Sequence, residues 1–312
     1  MRVLITGSQG VLGTALKREL GHRYHQVFGC DLMHSCDNKE IRADVANYRE
    51  LYAAFKLAKP ELVVHLAGEF GRKNGQDFYE RLWSTNCIGT HNVAELCQRF
   101  GSRLIFASSS EAYGNLADYH DLDESLLANS VPRFHNEYSL TKWAGEKQIE
   151  IARDHGNLRA LSLRFFNVYG EEPFSEYRSV VCKFIYRLLQ RIPITVYKGS
   201  RDFLYITDWS RTVANAVERF DSLPEHAYNI GGVVSTSIYD LAFMIGRICG
   251  IEPSSSLIEF HGYEQGNVND KMPEIELARR DLDHRPEMDL AHGLELTVAW
   301  MRQRYDIPKI NK

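Results

Sequence analysis

Two side chains four residues apart, Tyr138 and Lys142, are the first candidates for chemistry in this sequence. The residues from Tyr138 onward are good helix formers with no internal proline, so we expect a helix. Positions four apart share one face of a helix, which places a phenol beside a positive charge. A nearby cation favours the phenolate and is expected to lower the tyrosine pKa from about 10 towards working pH. Such a phenol can remove a proton from a substrate hydroxyl.

The same spacing also occurs on solvated helices, so the Tyr–Lys pair indicates an enzyme only if the chain also binds a hydride acceptor. A glycine-rich turn near the N-terminus supplies a candidate site. It follows the apolar run of residues 2–6, a predicted buried strand, and precedes a helical pattern. The turn reads Gly-x-x-Gly-x-x-Gly and contributes Gly7, Gly10, Val11, Leu12 and Gly13. Glycines permit the tight turn and let backbone N–H groups approach a pyrophosphate, so the motif predicts a dinucleotide site.

Acidic residues at the ends of the next two predicted strands fit the adenosine half of NAD. Asp31 follows strand residues 26–30, at about the interval after the glycines where an acid accepts hydrogen bonds from the ribose hydroxyls. A carboxylate there also repels a 2′-phosphate, so NAD is favoured over NADP. Asp44, next to Val45, ends a third predicted strand over residues 41–45 and suits the adenine amino group.

The fourth predicted strand, residues 62–68, ends in Leu66, Ala67 and Gly68, where small residues let a cofactor lie close to the backbone. His65 lies inside this apolar run and is expected to be a core histidine. A fifth strand covers residues 103–108, and helices are predicted over residues 48–58 and 77–97. This alternation predicts an α/β fold with a doubly wound parallel (Rossmann) sheet.

A polar cluster follows the fifth strand, at the sheet edge where ligands of such folds bind. It consists of Ser108, Ser109, Ser110 and Glu111.

The composition is compatible with an enzyme: the chain has 312 residues, and its net charge of −4 gives no case for a nucleic acid or membrane partner. Six scattered cysteines predict neither a disulfide framework nor a metal site. No apolar run approaches membrane length, and we expect a cytoplasmic protein.

In order and over most of the chain, these motifs resemble the extended short-chain dehydrogenase/reductases, specifically the nucleotide-sugar epimerase/dehydratase group. The resemblance also includes residues 86–90 and 164–170. It implies that Ser109, Tyr138 and Lys142 are catalytic, with Ser109 hydrogen-bonding the reacting oxygen and Lys142 also holding the nicotinamide ribose. It implies an NAD that is retained and recycled within each turnover. Further cofactor contacts are implied for Asn86, Ser108 and Phe165.

The triplet Ser109-Ser110-Glu111 bears on the reaction subclass. Family dehydratases and decarboxylases carry a hydroxyl-x-Glu triplet here, and their glutamate handles the proton on C5 once a 4-keto sugar has formed. A ketone acidifies the neighbouring C–H, and a desolvated carboxylate can accept that proton. Dehydratases of the thymidine-diphosphate type place an aspartate acid where this chain has Ser110. Some epimerase-type sequences also carry an acid here, and Glu111 could instead cap the following turn.

The sequence therefore slightly favours a 4,6-dehydratase or decarboxylase, with a plain 4-epimerase as the alternative. A non-catalytic NAD-binding sensor is disfavoured because the Tyr–Lys pair and the serine are retained. A reductase of small carbonyl compounds is disfavoured by Asp31 and by the two residues that the family uses to contact a substrate diphosphate, Asn167 and Arg201. A guanidinium suits phosphate because its N–H groups match two oxygens at once.

The C-terminal half is expected to form a smaller, interleaved substrate domain. Residues 1–170 and 204–231 are assigned to the NAD-binding domain, and residues 171–203 and 232–312 to the nucleotide-sugar domain, with the site in the cleft between them. Residues 201–206 are predicted to form a strand and residues 228–231 to return to the main sheet. There is no arginine between Arg247 and Arg279, where a second diphosphate ligand often lies, and Lys271 is the candidate substitute. The resemblance implies a homodimer through helices over residues 77–97 and 138–155.

Overall fold

The computed structural model describes residues 1–119, 122–252, 256–264 and 268–308. Its strands are β1 (Arg2–Thr6), β2 (Gln26–Asp31), β3 (Glu40–Arg42), β4 (Leu62–His65), β5 (Arg103–Ser109), β6 (Ala160–Phe165), β7 (Val168–Tyr169), β8 (Ile194–Lys198), β9 (Ser200–Arg201), β10 (Leu204–Tyr205), β11 (Ala227–Ile230), β12 (Thr236–Ser237), β13 (Ile258–Tyr263) and β14 (Asp270–Lys271).

The α-helices are α1 (Val11–His22), α2 (Tyr48–Ala58), α3 (Arg72–Asp77), α4 (Tyr79–Trp83), α5 (Thr90–Phe100), α6 (Leu126–Asn129), α7 (Glu137–Gly156), α8 (Val180–Leu189), α9 (Ile206–Arg219), α10 (Ile238–Cys249), α11 (Glu276–Leu282) and α12 (Leu290–Arg304). A π-helix covers Ser84–Gly89, and 3-10 turns cover Ser110–Tyr119 and Phe220–Ser222.

Seven parallel strands form the main sheet in the order β11-β6-β5-β4-β1-β2-β3. Strands β4 and β6 are buried along their whole length, as expected for apolar strands covered by helices on both faces. One core contains Val3 and Ile5, and the core on the other face contains Leu4. The predicted α/β Rossmann fold is confirmed, and so is the return of residues 228–231 to this sheet, as β11 beside β6.

Four of the elements predicted from the sequence have wrong boundaries. The third and fourth strands end early, at Arg42 and His65, so the residues that follow them are loops at the sheet edge. The helix predicted over residues 77–97 is divided into several segments, because Phe78 has non-helical angles (φ −128°, ψ 54°). Residues 201–206 do not form one strand: Asp202 is fully buried and accepts hydrogen bonds from another part of the chain, and α9 begins at Ile206.

The remaining short strands belong to smaller sheets. Strand β9 pairs with β12 on one side and β14 on the other, β8 pairs with β13, and β7 pairs with β10. Helix α10 packs against α8 and α12, whereas α9 packs against α1 beside the main sheet. The assignment of sequence ranges to two domains remains a prediction. Within the described ranges, every helix is too short or too polar to traverse a membrane.

Candidate active site

A cavity of about 660 Å³ extends along the carboxyl ends of the main-sheet strands. It brings together most of the residues that the sequence singled out: Gly7, Gly10, Val11, Leu12, Gly13, Asp31, Asp44, Val45, Leu66, Ala67, Gly68, Ser108, Ser109, Tyr138, Lys142, Phe165 and Asn167. Four predicted site residues do not line it, namely Asn86, Ser110, Glu111 and Arg201.

The glycine turn closes so tightly that two of its positions exclude a side chain. Gly7 has a φ of +71°, and a Cβ there would lie 2.7 Å from the backbone nitrogen of Ala67. A Cβ on Gly13 would lie 2.2 Å from the carbonyl oxygen of Gly7. Helix α1 begins directly after Gly10, so its first N–H groups face the cavity end, as a pyrophosphate requires. The turn therefore fits a dinucleotide.

Asp31 is held beside this turn by two backbone hydrogen bonds. Its Oδ2 accepts from the N–H of Gln9 at 3.0 Å and its Oδ1 from the N–H of Met33 at 3.1 Å. These bonds fix the carboxylate at the end of β2, where it can accept from a ribose. Sequence reasoning did not identify Glu40, which accepts from the Ser8 hydroxyl at 2.6 Å and pairs with Lys17 at 2.5 Å below the same turn.

Tyr138 and Lys142 lie in the first turns of α7, which is capped by Asn136. The ammonium of Lys142 is 5.9 Å from the centre of the Tyr138 ring and donates to the carbonyl oxygen of Ala107 at 2.8 Å. Ser109 hydrogen-bonds the Tyr138 oxygen from the end of β5. The predicted triad of serine, tyrosine and lysine is therefore assembled by two adjacent elements.

The prediction that the pKa of Tyr138 is lowered towards working pH is wrong. Burial raises the pKa of Tyr138 to about 12, despite the Ser109 hydrogen bond, and the charge of Glu111 adds to this rise. Burial also lowers the pKa of Lys142 to about 8. Desolvation disfavours the charged form of both groups and is the largest cause of each pKa shift.

Asn86 is buried and does not line the cavity, and its side-chain amide forms hydrogen bonds with two other segments of the chain. Its Oδ1 accepts from the N–H of Glu69 at 2.8 Å, and its Nδ2 donates to the Glu69 carbonyl at 2.9 Å and to the Thr141 hydroxyl at 3.0 Å. It thereby ties the loop after β4 to α7. A direct contact of Asn86 with the cofactor remains a prediction.

His65 is a core histidine, as the sequence indicated. Its Nδ1 lies 2.7 Å from the Thr6 hydroxyl and its Nε2 lies 3.1 Å from the Thr90 hydroxyl. Burial lowers its pKa to about 3, so the ring is neutral. Both ring nitrogens are satisfied by threonines, which leaves no role for this residue as a ligand.

Glu111 does not line the cavity and forms an ion pair with Lys271. Its Oε1 is 2.5 Å from the Lys271 ammonium, and its Oε2 accepts from the Ser139 hydroxyl at 2.9 Å. Burial opposes ionisation of Glu111, but Lys271 and Ser139 outweigh that effect and hold its pKa at about 2. Glu111 is therefore a stable anion whose charge is already balanced. Lys271, the candidate second diphosphate ligand, is engaged in the same pair.

Arg201 lies on β9, the central strand of the small three-stranded sheet, and is held by backbone carbonyls. Its guanidinium donates to the carbonyl oxygens of Ser200 (2.7 Å), Asn269 (2.8 Å) and Val268 (2.5 Å). The next residue, Asp202, is fully buried. The carboxylate of Asp202 accepts from Asn167 at 2.9 Å and from the N–H of Gly232 at 2.8 Å.

A buried ion pair that the sequence did not reveal supports the floor of the site. Arg164 on β6 bonds to Glu146 on α7 at 2.8 Å, and Glu146 accepts from the hydroxyl of Ser108. Arg164 also donates to the Tyr113 hydroxyl at 2.9 Å. Its partners lie far apart in the sequence, so no local pattern indicated it.

The chain is similar to known proteins over most of its length. The model of the NAD dependent epimerase/dehydratase family matches residues 3–231. The UDP-N-acetyl-alpha-D-glucosaminuronate decarboxylase of Bacillus cytotoxicus is 25% identical over 97% of this chain and 98% of its own. The putative UDP-glucose 4-epimerase of Methanocaldococcus jannaschii is 26% identical over 96% and 98%.

The same fold occurs in the UDP-glucuronic acid 4-epimerase of Bacillus cereus, solved with UDP-glucuronic acid and NAD. Its TM-score is 0.84 at 23% identity, over 98% of this chain and 100% of that one. The glycine turn, the fixed Asp31 and the Ser109–Tyr138–Lys142 cluster fit NAD and the alcohol oxidation it serves. On the family match and this geometry together, the chain belongs to the NAD-dependent nucleotide-sugar epimerase/dehydratase family and is an enzyme that uses NAD.

Proposed function

We propose that this protein is a nucleotide-sugar 4-epimerase that works through a 4-keto sugar. The observation that carries the proposal is the convergence of Ser109, Tyr138 and Lys142 on one cavity with the dinucleotide turn, while Glu111 is paired elsewhere. NAD, when bound, accepts the hydride of C4 and returns it.

Tyr138 acts as the base and then as the acid of this reaction. The phenolate accepts the proton of the C4 hydroxyl as the hydride leaves C4, which forms the ketone, and the phenol returns the proton on reduction. Ser109 hydrogen-bonds the Tyr138 oxygen, and its proposed role is to hydrogen-bond the C4 oxygen of the sugar. The fixed charge of Lys142 stabilises the phenolate. Inversion follows when the keto sugar rotates and receives the hydride on its other face.

The state of Glu111 moves our proposal from elimination, which the sequence slightly favoured, to epimerisation. A dehydratase needs a carboxylate that takes up the C5 proton at working pH. Glu111 has a pKa of about 2 and a partner at 2.5 Å, and it does not line the cavity. A carboxylate so strongly stabilised as the anion is a weak proton acceptor.

Decarboxylation of a hexuronic acid is the second candidate. It is favoured by the similarity to the Bacillus cytotoxicus decarboxylase and by the Ser109-Ser110-Glu111 triplet. A uronate with a ketone at C4 is a β-keto acid, and such an acid loses carbon dioxide without a base. The oxidation at C4 is common to both candidates, so Tyr138 has the same role in each.

A uridine diphosphate sugar is the proposed substrate class. Several relatives that span the chain carry names of enzymes for UDP-sugars. The proposed ligands of the diphosphate are Asn167, which lines the cavity, and Arg201, whose partly buried guanidinium is held by backbone carbonyls. We also propose a cytoplasmic homodimer, formed through the helices of residues 77–97 and 138–155, where Ile88 and Ile151 are exposed.

Product analysis by NMR tests the proposal. The purified protein with NAD is incubated with UDP-glucose, UDP-N-acetylglucosamine or UDP-glucuronic acid. A 4-epimer without loss of mass supports epimerisation, whereas release of carbon dioxide or water identifies a decarboxylase or dehydratase. Retention of full activity by Tyr138→Phe would refute every version of the proposal.

A further inference from the structure

Glu111 joins two parts of the chain that meet at the active site. It follows β5, and its carboxylate contacts both Lys271 on β14 and Ser139 on α7. Ser139 is the residue after Tyr138, and its N–H and hydroxyl both reach Oδ1 of the capping residue Asn136. The Glu111 carboxylate therefore lies at the first turn of the helix that carries Tyr138, where an anion is stabilised by the helix dipole.

The other end of this connection is built into the small sheet. Strand β14 pairs with β9 in parallel, and Lys271 is the register partner of Arg201. The Lys271 side chain is only 2% exposed, so its charge depends on Glu111 for compensation. One continuous set of contacts thus runs from β9, which carries the proposed diphosphate ligand Arg201, to α7, which carries the proposed base Tyr138.

We propose that a latch of three side chains, Lys271, Glu111 and Ser139, connects the small sheet to α7 and positions Tyr138 for reaction. In this proposal Glu111 is a positioning residue and not a base. The inference rests on the proposed role of Tyr138 at C4. Because Arg201 and Lys271 are register partners, contact of the substrate diphosphate with Arg201 fixes the same short strands that hold Glu111. Binding of the nucleotide is thereby coupled to the placement of the phenol.

Three variants separate this role from that of a base: Glu111→Gln, Lys271→Met and the double variant. Lys271→Met leaves Glu111 as an unpaired anion beside Tyr138, so we expect kcat to fall at least about tenfold. In the double variant both charges of the Lys271–Glu111 pair are removed together, and the glutamine can still accept from Ser139. We therefore expect the double variant to recover most of the kcat lost in Lys271→Met. NAD affinity, measured by fluorescence titration, is expected to stay within about twofold in all three, because none of these residues lines the cavity.

Two control variants distinguish a failure of the latch proposal from a failure of the proposed function. Lys147→Met removes a surface ion pair with Glu150 on the same helix and should leave kcat unchanged. Tyr138→Phe tests the proposed function independently of the latch. If Lys271→Met does not fold, Glu111→Gln alone still decides, because a positioning role predicts a fall in kcat with unchanged deuterium exchange at C5 of the sugar.

Two results would overturn the inference. One is a double variant that is as slow as, or slower than, Lys271→Met. The other is a Glu111→Gln protein that has lost solvent deuterium incorporation at C5 while the parent shows it, because this would make Glu111 the C5 base.

Discussion

The ammonium of Lys271 lies 2.5 Å from the carboxylate of Glu111, across a sequence separation of 160 residues. This pair determines how the serine-rich segment after β5 is interpreted. In the sequence, Glu111 stands where related dehydratases place a proton-transferring glutamate. In the fold, the same side chain is an anion that is paired with Lys271 and lies between the small sheet and α7, the helix that carries Tyr138.

Replacing Tyr138 with phenylalanine is expected to lower kcat by about 10²–10⁴, because general acid–base catalysis at C4 is lost. NAD binding and the melting temperature should change little. Steady-state kinetics with the substrate identified by NMR measures the effect. Tyr48→Phe is the matched control, because the Tyr48 hydroxyl contacts Glu95 away from the cavity. A Tyr138→Phe protein as fast as the parent would contradict the assignment.

The pH dependence of kcat/KM should reflect the pKa values of Tyr138 and Lys142. The pKa of Tyr138 is raised to about 12, so below that value the phenolate fraction grows about tenfold per pH unit. The pKa of Lys142 is lowered to about 8, so the charge that stabilises the phenolate is lost above that pH. We expect the rate to rise from pH 6 and to bend near pH 8. The bend should be missing in Lys142→Met, and a rate that falls between pH 6 and pH 8 would count against this scheme.

Replacing Asp31 with alanine is expected to weaken NAD binding at least about tenfold, because the ribose loses its hydrogen-bond acceptor. Discrimination against NADP should also decrease, since the carboxylate that repels the 2′-phosphate is gone. Titration with both cofactors measures the change. Asp37→Asn alters an exposed aspartate in the following loop and should affect neither affinity. Unchanged selectivity in Asp31→Ala would show that another group excludes NADP.

Two glycines of α1 should respond to alanine in opposite directions. At Gly13 the added methyl would lie 2.2 Å from the Gly7 carbonyl, so we expect a loss of about 1–3 kcal/mol in the free energy of unfolding and weaker NAD binding. At Gly21 nothing lies within 4 Å of the added methyl, and a gain of about 0.4–1 kcal/mol is expected. Urea unfolding compares the two variants. An equal change in the free energy of unfolding for both variants would contradict the close contact between Gly13 and the Gly7 carbonyl.

The Lys271–Glu111 pair should contribute to stability in a defined pH window. The pKa of Glu111 is lowered from 4.5 to about 2, so its contribution is fully present above about pH 5 and is lost as the pH falls towards 2. The difference in unfolding free energy between the parent and Glu111→Gln should therefore shrink as the pH is lowered from 6 to 3.5. Urea titrations at several pH values measure it, and a difference that grows on acidification would contradict the pairing.

The sequence alone was sufficient for the features that depend on neighbouring residues. The strand–glycine turn–helix unit, the acid after β2 and the Tyr138–Lys142 spacing are local patterns, and helix and strand periodicity fix which side chains share a face. The resemblance carried by these motifs gave the family and the cofactor. Boundaries were missed where a local conformation is set from elsewhere in the chain, as at buried Asp202, whose carboxylate bonds to Asn167 and Gly232.

Only the tertiary structure decided the chemical state of the site. Burial of Tyr138 raises the pKa that its lysine neighbour was expected to lower, and desolvation depends on atoms from many segments at once. The partner of Glu111 comes from β14, and no periodicity links the two positions. Residue spacing determines which groups can meet along one element, whereas charge compensation and solvent exclusion are properties of the assembled fold.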